Sequence, residues 1–121
     1  MDVLLLIVQL GLGLIFVMAG VLKAFEYNKA KERMDWVSDV PKGMVIFLGY
    51  VEIVGAMGLL LPISLRMSPF IAPFAALGLA VIMVFAAIFH HSRKEFYMIP
   101  INLILLLIAL FIAISRLYFQ L

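Results

Sequence analysis

Lys23, Glu52, His90 and Asn102 can exchange protons or make strong hydrogen bonds, and each stands inside or at the edge of a long apolar stretch. Glu52 is the extreme case. Val45 to Leu61 is long enough to cross a hydrocarbon core, and apart from Tyr50 it has no other ionisable residue. A carboxylate at that depth is costly, so it is expected to face a bundle interior or a cavity. There it can accept hydrogen bonds, exchange a proton or balance an ammonium group. Lys23 supplies donors, Asn102 both a donor and an acceptor, and His90 an imidazole. Gly49 and Gly55 flank Glu52, with Ala56 beside them, and let another backbone or a ligand come close. Such a set can hold the polar head of an otherwise apolar molecule.

Each residue also has a purely structural reading. Glu52 can be an anchor, paired with Lys23 or hydrogen-bonded to Asn102. Lys23 can be a boundary residue that snorkels to the interface. His90 and His91 are adjacent, so they point apart on a helix and cannot ligate a metal as an i, i+4 pair would; no metal site is expected. Asn102 can hydrogen-bond between helices, and Met18, Met57 and Met83 read as core filler.

The elements that must position these residues are membrane-spanning helices. Apolar stretches cover about 3–25, 44–61, 69–89 and 96–114. In span one, Gln9, Leu12, Phe16, Ala19, Gly20 and Lys23 share a face. In span two the face of Glu52 carries Val45, Leu48, Gly49, Gly55, Ala56 and Leu59, and Pro62 is expected to stop the helix. Ser68 and Pro69 suit the start of span three, whose inner face runs through Ala76, Leu79, Met83, Ala86 and Ala87 to His90. Asn102, Ala109 and Ala113 share a face of span four. The polar segment from Glu26 to Gly43 reads either as a short interfacial helix with Trp36 at headgroup level or as a solvated loop.

Spacing places the polar residues at one end. Lys23 closes span one and His90 closes span three, while Asn102 lies one or two turns into span four. Glu52 lies roughly 12 Å or less from the same side. If their faces converge, they line one pocket in half of the bundle. Loops one and three hold Lys29, Lys31, Arg33, Lys42, Arg93 and Lys94, whereas the opposite side has Arg66 and Arg116. The positive-inside rule then predicts loops one and three in the cytoplasm and both termini outside.

Composition supports this architecture. Of 121 residues, 67% are hydrophobic and 13% charged, more apolar surface than a soluble domain of this length can hide. The expected fold is an all-α, integral-membrane four-helix bundle, antiparallel with short loops, forming one domain over 1–121. The first apolar run lacks a preceding Lys or Arg and is longer than a signal-peptide core, so it is expected to stay as a helix. Cysteine is absent, which removes disulfide, thiol-redox and thiolate-ligand chemistry. The net charge of +2 reflects the loops and implies no nucleic-acid partner.

The motifs together resemble the DoxX and DoxX-like family of small four-span membrane proteins. The resemblance rests on Phe16, Gly20 and Lys23 in FVMAGVLKA, on Gly49, Glu52, Gly55 and Gly58 in LGYVEIVGAMGLLLP, and on Ala72, Pro73, Gly78, Met83, Ala86 and His90 in APFAALGLAVIMVFAAIFH. It implies a redox-associated membrane subunit. The family takes its name from a subunit associated with quinol oxidation and thiosulfate:quinone oxidoreduction, and other members act with soluble redox enzymes or in quinone and oxidative-stress responses. The helical fold is also similar to that of the vitamin K epoxide reductase group, whose thiol chemistry cannot be carried over to a chain without cysteine.

Three functions are therefore weighed. The first is a redox accessory subunit or binder of a quinone-like molecule, with Glu52, Lys23, Asn102, His90, Gly49 and Gly55 around the ligand and a redox-enzyme partner to exchange electrons. No cofactor is expected within the chain itself. The second is a small-multidrug-resistance-like, proton-coupled transporter; in that family the acid lies in the first span, whereas here it lies in the second. The third is a structural partner subunit whose polar cluster fixes helix register. The lipid membrane is a partner in all three, and a homo-oligomer is compatible with each.

Overall fold

In hydrocarbon a backbone N–H or C=O has no water to turn to, so each apolar stretch closes its hydrogen bonds within itself as a helix. The computed structural model describes residues 3–65 and 68–120; the side chains of 119 and 120 are outside the description. Helix α1 is Val3–Phe25, followed by a short α2, Tyr27–Arg33, and a 3₁₀ turn at Asp35–Asp39. Helices α3, Lys42–Ser64, α4, Ile71–Ser92, and α5, Ile99–Gln120, complete the chain, with a 3₁₀ turn at Phe96–Met98 before α5. Four segments, α1, α3, α4 and Phe96–Tyr118, are long and apolar enough to cross a membrane. No strand occurs among the described residues.

Packing follows the inward faces read from the sequence. Helix α1 packs chiefly on α3 and α4 on α5, and contacts of α3 with α4 and of α1 with α5 close the ring. Leu12, Phe16, Ala56, Leu59, Ala76, Leu79, Ala109, Ile112 and Ala113 form the core. Ile7, Leu14, Phe47, Val54, Phe74, Phe85, Leu107 and Phe111 are exposed on the outside, where lipid replaces water as their solvent. Met83 is buried, but Met18 is 72% exposed and belongs to the outer surface rather than the core.

The last three spans shift by a few residues at each end from the sequence expectation, and two of these boundaries turn on prolines. Helix α3 runs through Pro62 to Ser64, and Leu65 N–H still donates to Leu61 O at 2.9 Å. A proline removes its own N–H and crowds the carbonyl four residues back, but near a C-terminus this disturbs one bond and the last turn persists. Helix α4 begins at Ile71, two residues after Pro69. Ser68 instead forms the preceding turn, its Oγ accepting the Phe70 N–H at 3.4 Å. Pro73 then falls in the first turn, where N–H groups have no intrahelical partner. Arg66, counted for orientation, lies outside the described residues.

Loop one carries the short helix expected between the first two spans, α2, followed by a 3₁₀ turn, and is not a solvated coil. Its two short helical pieces break at an extended Met34, and Ala30 and Val37 are buried with Val45 against Leu22, Tyr27, Met34, Trp36 and Val40. The segment therefore covers the end of the bundle.

Candidate functional site

A helix side chain leans toward the N-terminus of its own helix. In the antiparallel pair α1 and α3 those leans converge, and Lys23 Nζ donates to Glu52 Oε1 at 2.6 Å. The two backbones come close because glycine faces glycine. A Cβ on Gly20 would stand 2.7 Å from Gly49 O, and one on Gly49 would stand 2.6 Å from Ala24 N. Glu52 is 2% exposed, and the side chain of Lys23 is only 13% exposed, so Lys23 turns inward and does not snorkel. Its ammonium also lies 5.6 Å from the centroid of the Trp36 ring.

The second carboxylate oxygen, Glu52 Oε2, is buried with no hydrogen-bond partner, and so is Asn102 Nδ2. Both residues line one cavity of about 360 Å³ at the loop-one and loop-three end of the bundle. Lys23 and His90 line it too. The remaining wall is apolar and aromatic, with Phe16, Ala19, Leu48, Met83, Ala86, Phe89 and Leu105 contributed by the spans, and Met34, Trp36 and Val40 by loop one.

Gly49 and Gly55, expected to leave room for a ligand, fall outside this lining. The space opposite Gly49 is taken by the α1 backbone, and a Cβ on Gly55 would meet Leu79 Cδ2 at 2.8 Å. Their missing side chains serve helix approach, which sets the position of Glu52 without touching the cavity.

His90 is held by a local turn. At the end of α4, Glu95 N–H donates to His90 O at 2.8 Å and Lys94 N–H donates to His91 O at 3.0 Å, with Lys94 in the left-handed region at φ 61°. This paired closure reverses the chain and returns Glu95 to the helix it has just left. His90 Nδ1 then donates to Glu95 Oε1 at 3.0 Å. A carboxylate only accepts, so this bond places a proton on Nδ1. The same oxygen accepts from Arg93 Nε at 2.8 Å, and Arg93 Nη2 donates to Asp39 Oδ2 at 2.8 Å, joining loop three to loop one. Together the His90 bond and the guanidinium hold the Glu95 carboxyl below the usual range, the His90 bond contributing most, while Asp39 and Glu95 hold the Arg93 guanidinium above its own. Trp36 stacks edge-on against both Phe89 and His90, at centroid distances of 5.7 and 6.2 Å. His91 is exposed on the other side, against Phe96. Sequence spacing alone did not single out Glu95, Arg93 or Asp39, because a return turn of this kind, with lysine where glycine is usual, carries no periodic signal.

A separate polar contact lies at the opposite end. Arg116 is 5% exposed and its Nε donates to Gln9 Oε1 at 2.7 Å, while Gln9 Nε2 donates to Leu59 O at 2.6 Å. The sequence carried a signal for it: Asn102, Ala109 and Ala113 continue at helical spacing to Arg116.

Compared with known proteins, the chain matches the family model described as the DoxX-like family over residues 7–112. No curated protein and no solved structure matches it.

Proposed function

The chain belongs to the DoxX-like family, and on that premise we propose that this small four-span membrane protein binds a quinone-like molecule in the cavity beside Glu52. The observation that carries the reading is a buried carboxylate oxygen left without a partner on the wall of an apolar cavity. An unsatisfied buried acceptor is costly, and a bound head group that donates to it would remove that cost. A volume of about 360 Å³ is at the small end of ligand pockets, suited to a single ring and the start of a tail. Trp36, Phe89 and Phe16 offer it aromatic faces and edges. Residues that would touch it are Glu52, Asn102, Lys23 and His90.

In this reading the protein is an accessory to redox chemistry performed elsewhere. It keeps a membrane-soluble electron carrier at the end of the bundle where loops one and three meet a soluble or membrane-bound enzyme. The Lys and Arg balance supports a cytoplasmic position for that end. Because the chain has no cysteine, single-cysteine variants read by an impermeant reagent test the sidedness cleanly. Labelling of loop one in intact cells would reverse the orientation.

Thermal unfolding in detergent with a panel of short-tailed benzoquinones and naphthoquinones, each in its oxidised and its reduced form, tests the ligand site. The expected result is a rise in the wild-type transition that is lost in Ala86→Phe, which narrows the cavity while leaving Lys23 and Glu52 themselves unchanged. A panel that leaves the wild-type transition unmoved would remove the ligand reading and leave a structural subunit.

A further inference from the structure

We infer that the cavity takes a head group that donates a hydrogen bond, and so holds the reduced, hydroxyl-bearing form of a ring in preference to its oxidised, carbonyl-bearing form. This rests on the reading of the cavity as a ligand site and adds which chemical state that site selects.

The argument is a count of donors and acceptors. Lys23 Nζ occupies Glu52 Oε1 at 2.6 Å, while Oε2 is buried and has no partner. A carboxylate has lone pairs and no proton to give, so whatever completes Oε2 must bring an O–H or an N–H. A quinone carbonyl has only lone pairs. Set against Oε2 it would place two acceptors together in a desolvated site, where the repulsion is little screened. A hydroquinone hydroxyl donates its proton to Oε2 and keeps oxygen lone pairs for a second contact. Asn102 Nδ2, the other buried polar atom without a partner, is a donor on the wall of the same cavity. A hydroxyl can serve either unsatisfied group, donating to the carboxylate or accepting from the amide. A carbonyl answers the amide alone.

Charge narrows the class further. The Lys23 ammonium and the Glu52 carboxylate balance each other, so the site has no surplus charge to offset a charged ligand entering an apolar wall. The geometry selects a neutral amphipathic hydroxyl compound over a lipophilic cation. A protein with this preference would draw its ligand from a reaction that reduces a ring quinone, or pass it to one that oxidises the hydroquinone.

The test compares three probes with one tail: a decyl-substituted benzohydroquinone, the matching benzoquinone, and the hydroquinone dimethyl ether. Binding is measured by titration calorimetry on the purified full chain in detergent, without oxygen. A chemical reductant can be present throughout the hydroquinone arm because the chain has no disulfide to lose. The expected result is tighter binding of the hydroquinone by about tenfold or more, the size of one hydrogen bond to a charged group, with the dimethyl ether as weak as the quinone. Glu52→Gln places an amide donor where there was only an acceptor, and should narrow or reverse the preference. If that variant does not fold, the three-probe comparison on the wild type still decides. Equal binding of all three probes would overturn the preference while leaving the ligand site standing. Tighter binding of the quinone would overturn it by placing a proton on Glu52. Failure of every probe to bind would remove both the preference and the site.

Discussion

Lys23 Nζ and Glu52 Oε1 lie 2.6 Å apart across the α1–α3 contact, and this pair accounts for the only carboxylate in the interior of α3. Removing one partner strands the other in a desolvated site, which is far worse than removing both. Lys23→Met should therefore destabilise the fold by about 3 kcal/mol, and Lys23→Met with Glu52→Leu should recover most of that loss. Denaturant unfolding of the two variants in the same detergent decides it. A double variant no better than Lys23→Met would show that the two side chains are not energetically coupled.

The glycines beside this pair act through helix separation. A Cβ on Gly49 would meet backbone atoms of α1 at 2.6 and 2.7 Å, and backbone cannot rotate aside. Gly49→Ala should cost about 1–3 kcal/mol, the usual range for overpacking. Gly78 has nothing within 4 Å of the same added atom, so Gly78→Ala should be neutral or slightly stabilising, because alanine is the better helix former. Equal effects of the two substitutions would assign the cost of Gly49→Ala to helix propensity and not to the α1–α3 approach.

The contrast between these two glycines also shows what the sequence could convey. The inward faces were legible because they repeat: Val45, Gly49, Glu52, Ala56 and Leu59 recur with the period of a helix, and all are buried. That period placed Glu52 inside the bundle and put Lys23, His90 and Asn102 at the same end. It could not say whether the open side of Gly49 would receive a ligand or a helix, since both need the same absent side chain. Nor could it show Glu95 returning to His90, which depends on a single backbone reversal at Lys94, or Trp36 lining the cavity. The boundary at Pro62 misled for a related reason: a proline signals a lost hydrogen bond, and near a helix end one lost bond does not stop the helix.

The Glu95 carboxyl gives the fold a pH dependence with a definite sign. Its folded value is lowered from 4.5, first by the His90 hydrogen bond and then by Arg93. The unfolded chain therefore takes up this proton at higher pH than the folded one does. The resulting stabilisation is complete above the unfolded value and is lost as pH falls through the lowered folded value, so the window lies below about pH 5. Unfolding midpoints of the wild type and Glu95→Gln, measured from pH 7 down to pH 3, should converge as the medium becomes acidic. Parallel curves across that range would show that Glu95 has no protonation-linked role.

The Arg93–Asp39 contact, 2.8 Å long, is the one described ion pair that ties loop one to loop three. The Asp39 side chain is 58% exposed, so the contact should add no more than about 1 kcal/mol and should weaken with salt. Its position matters more than its strength. Asp39 ends the same 3₁₀ turn that holds Trp36, and Trp36 rests on Phe89 and His90 as part of the cavity wall. Releasing Asp39 should loosen that turn and leave the four spans as they are. Asp39→Ala is therefore expected to keep the unfolding midpoint near that of the wild type while speeding both uptake and release of a decyl-tailed benzoquinone or its hydroquinone. Trp36 is the single tryptophan of the chain, so stopped-flow quenching of its emission reports the exchange directly. High salt applied to the wild type should reproduce part of the change, because it screens the same contact. Exchange rates that stay at wild-type values in both conditions would mean that loop one does not control access, and that the ligand reaches Glu52 from the lipid side between the helices.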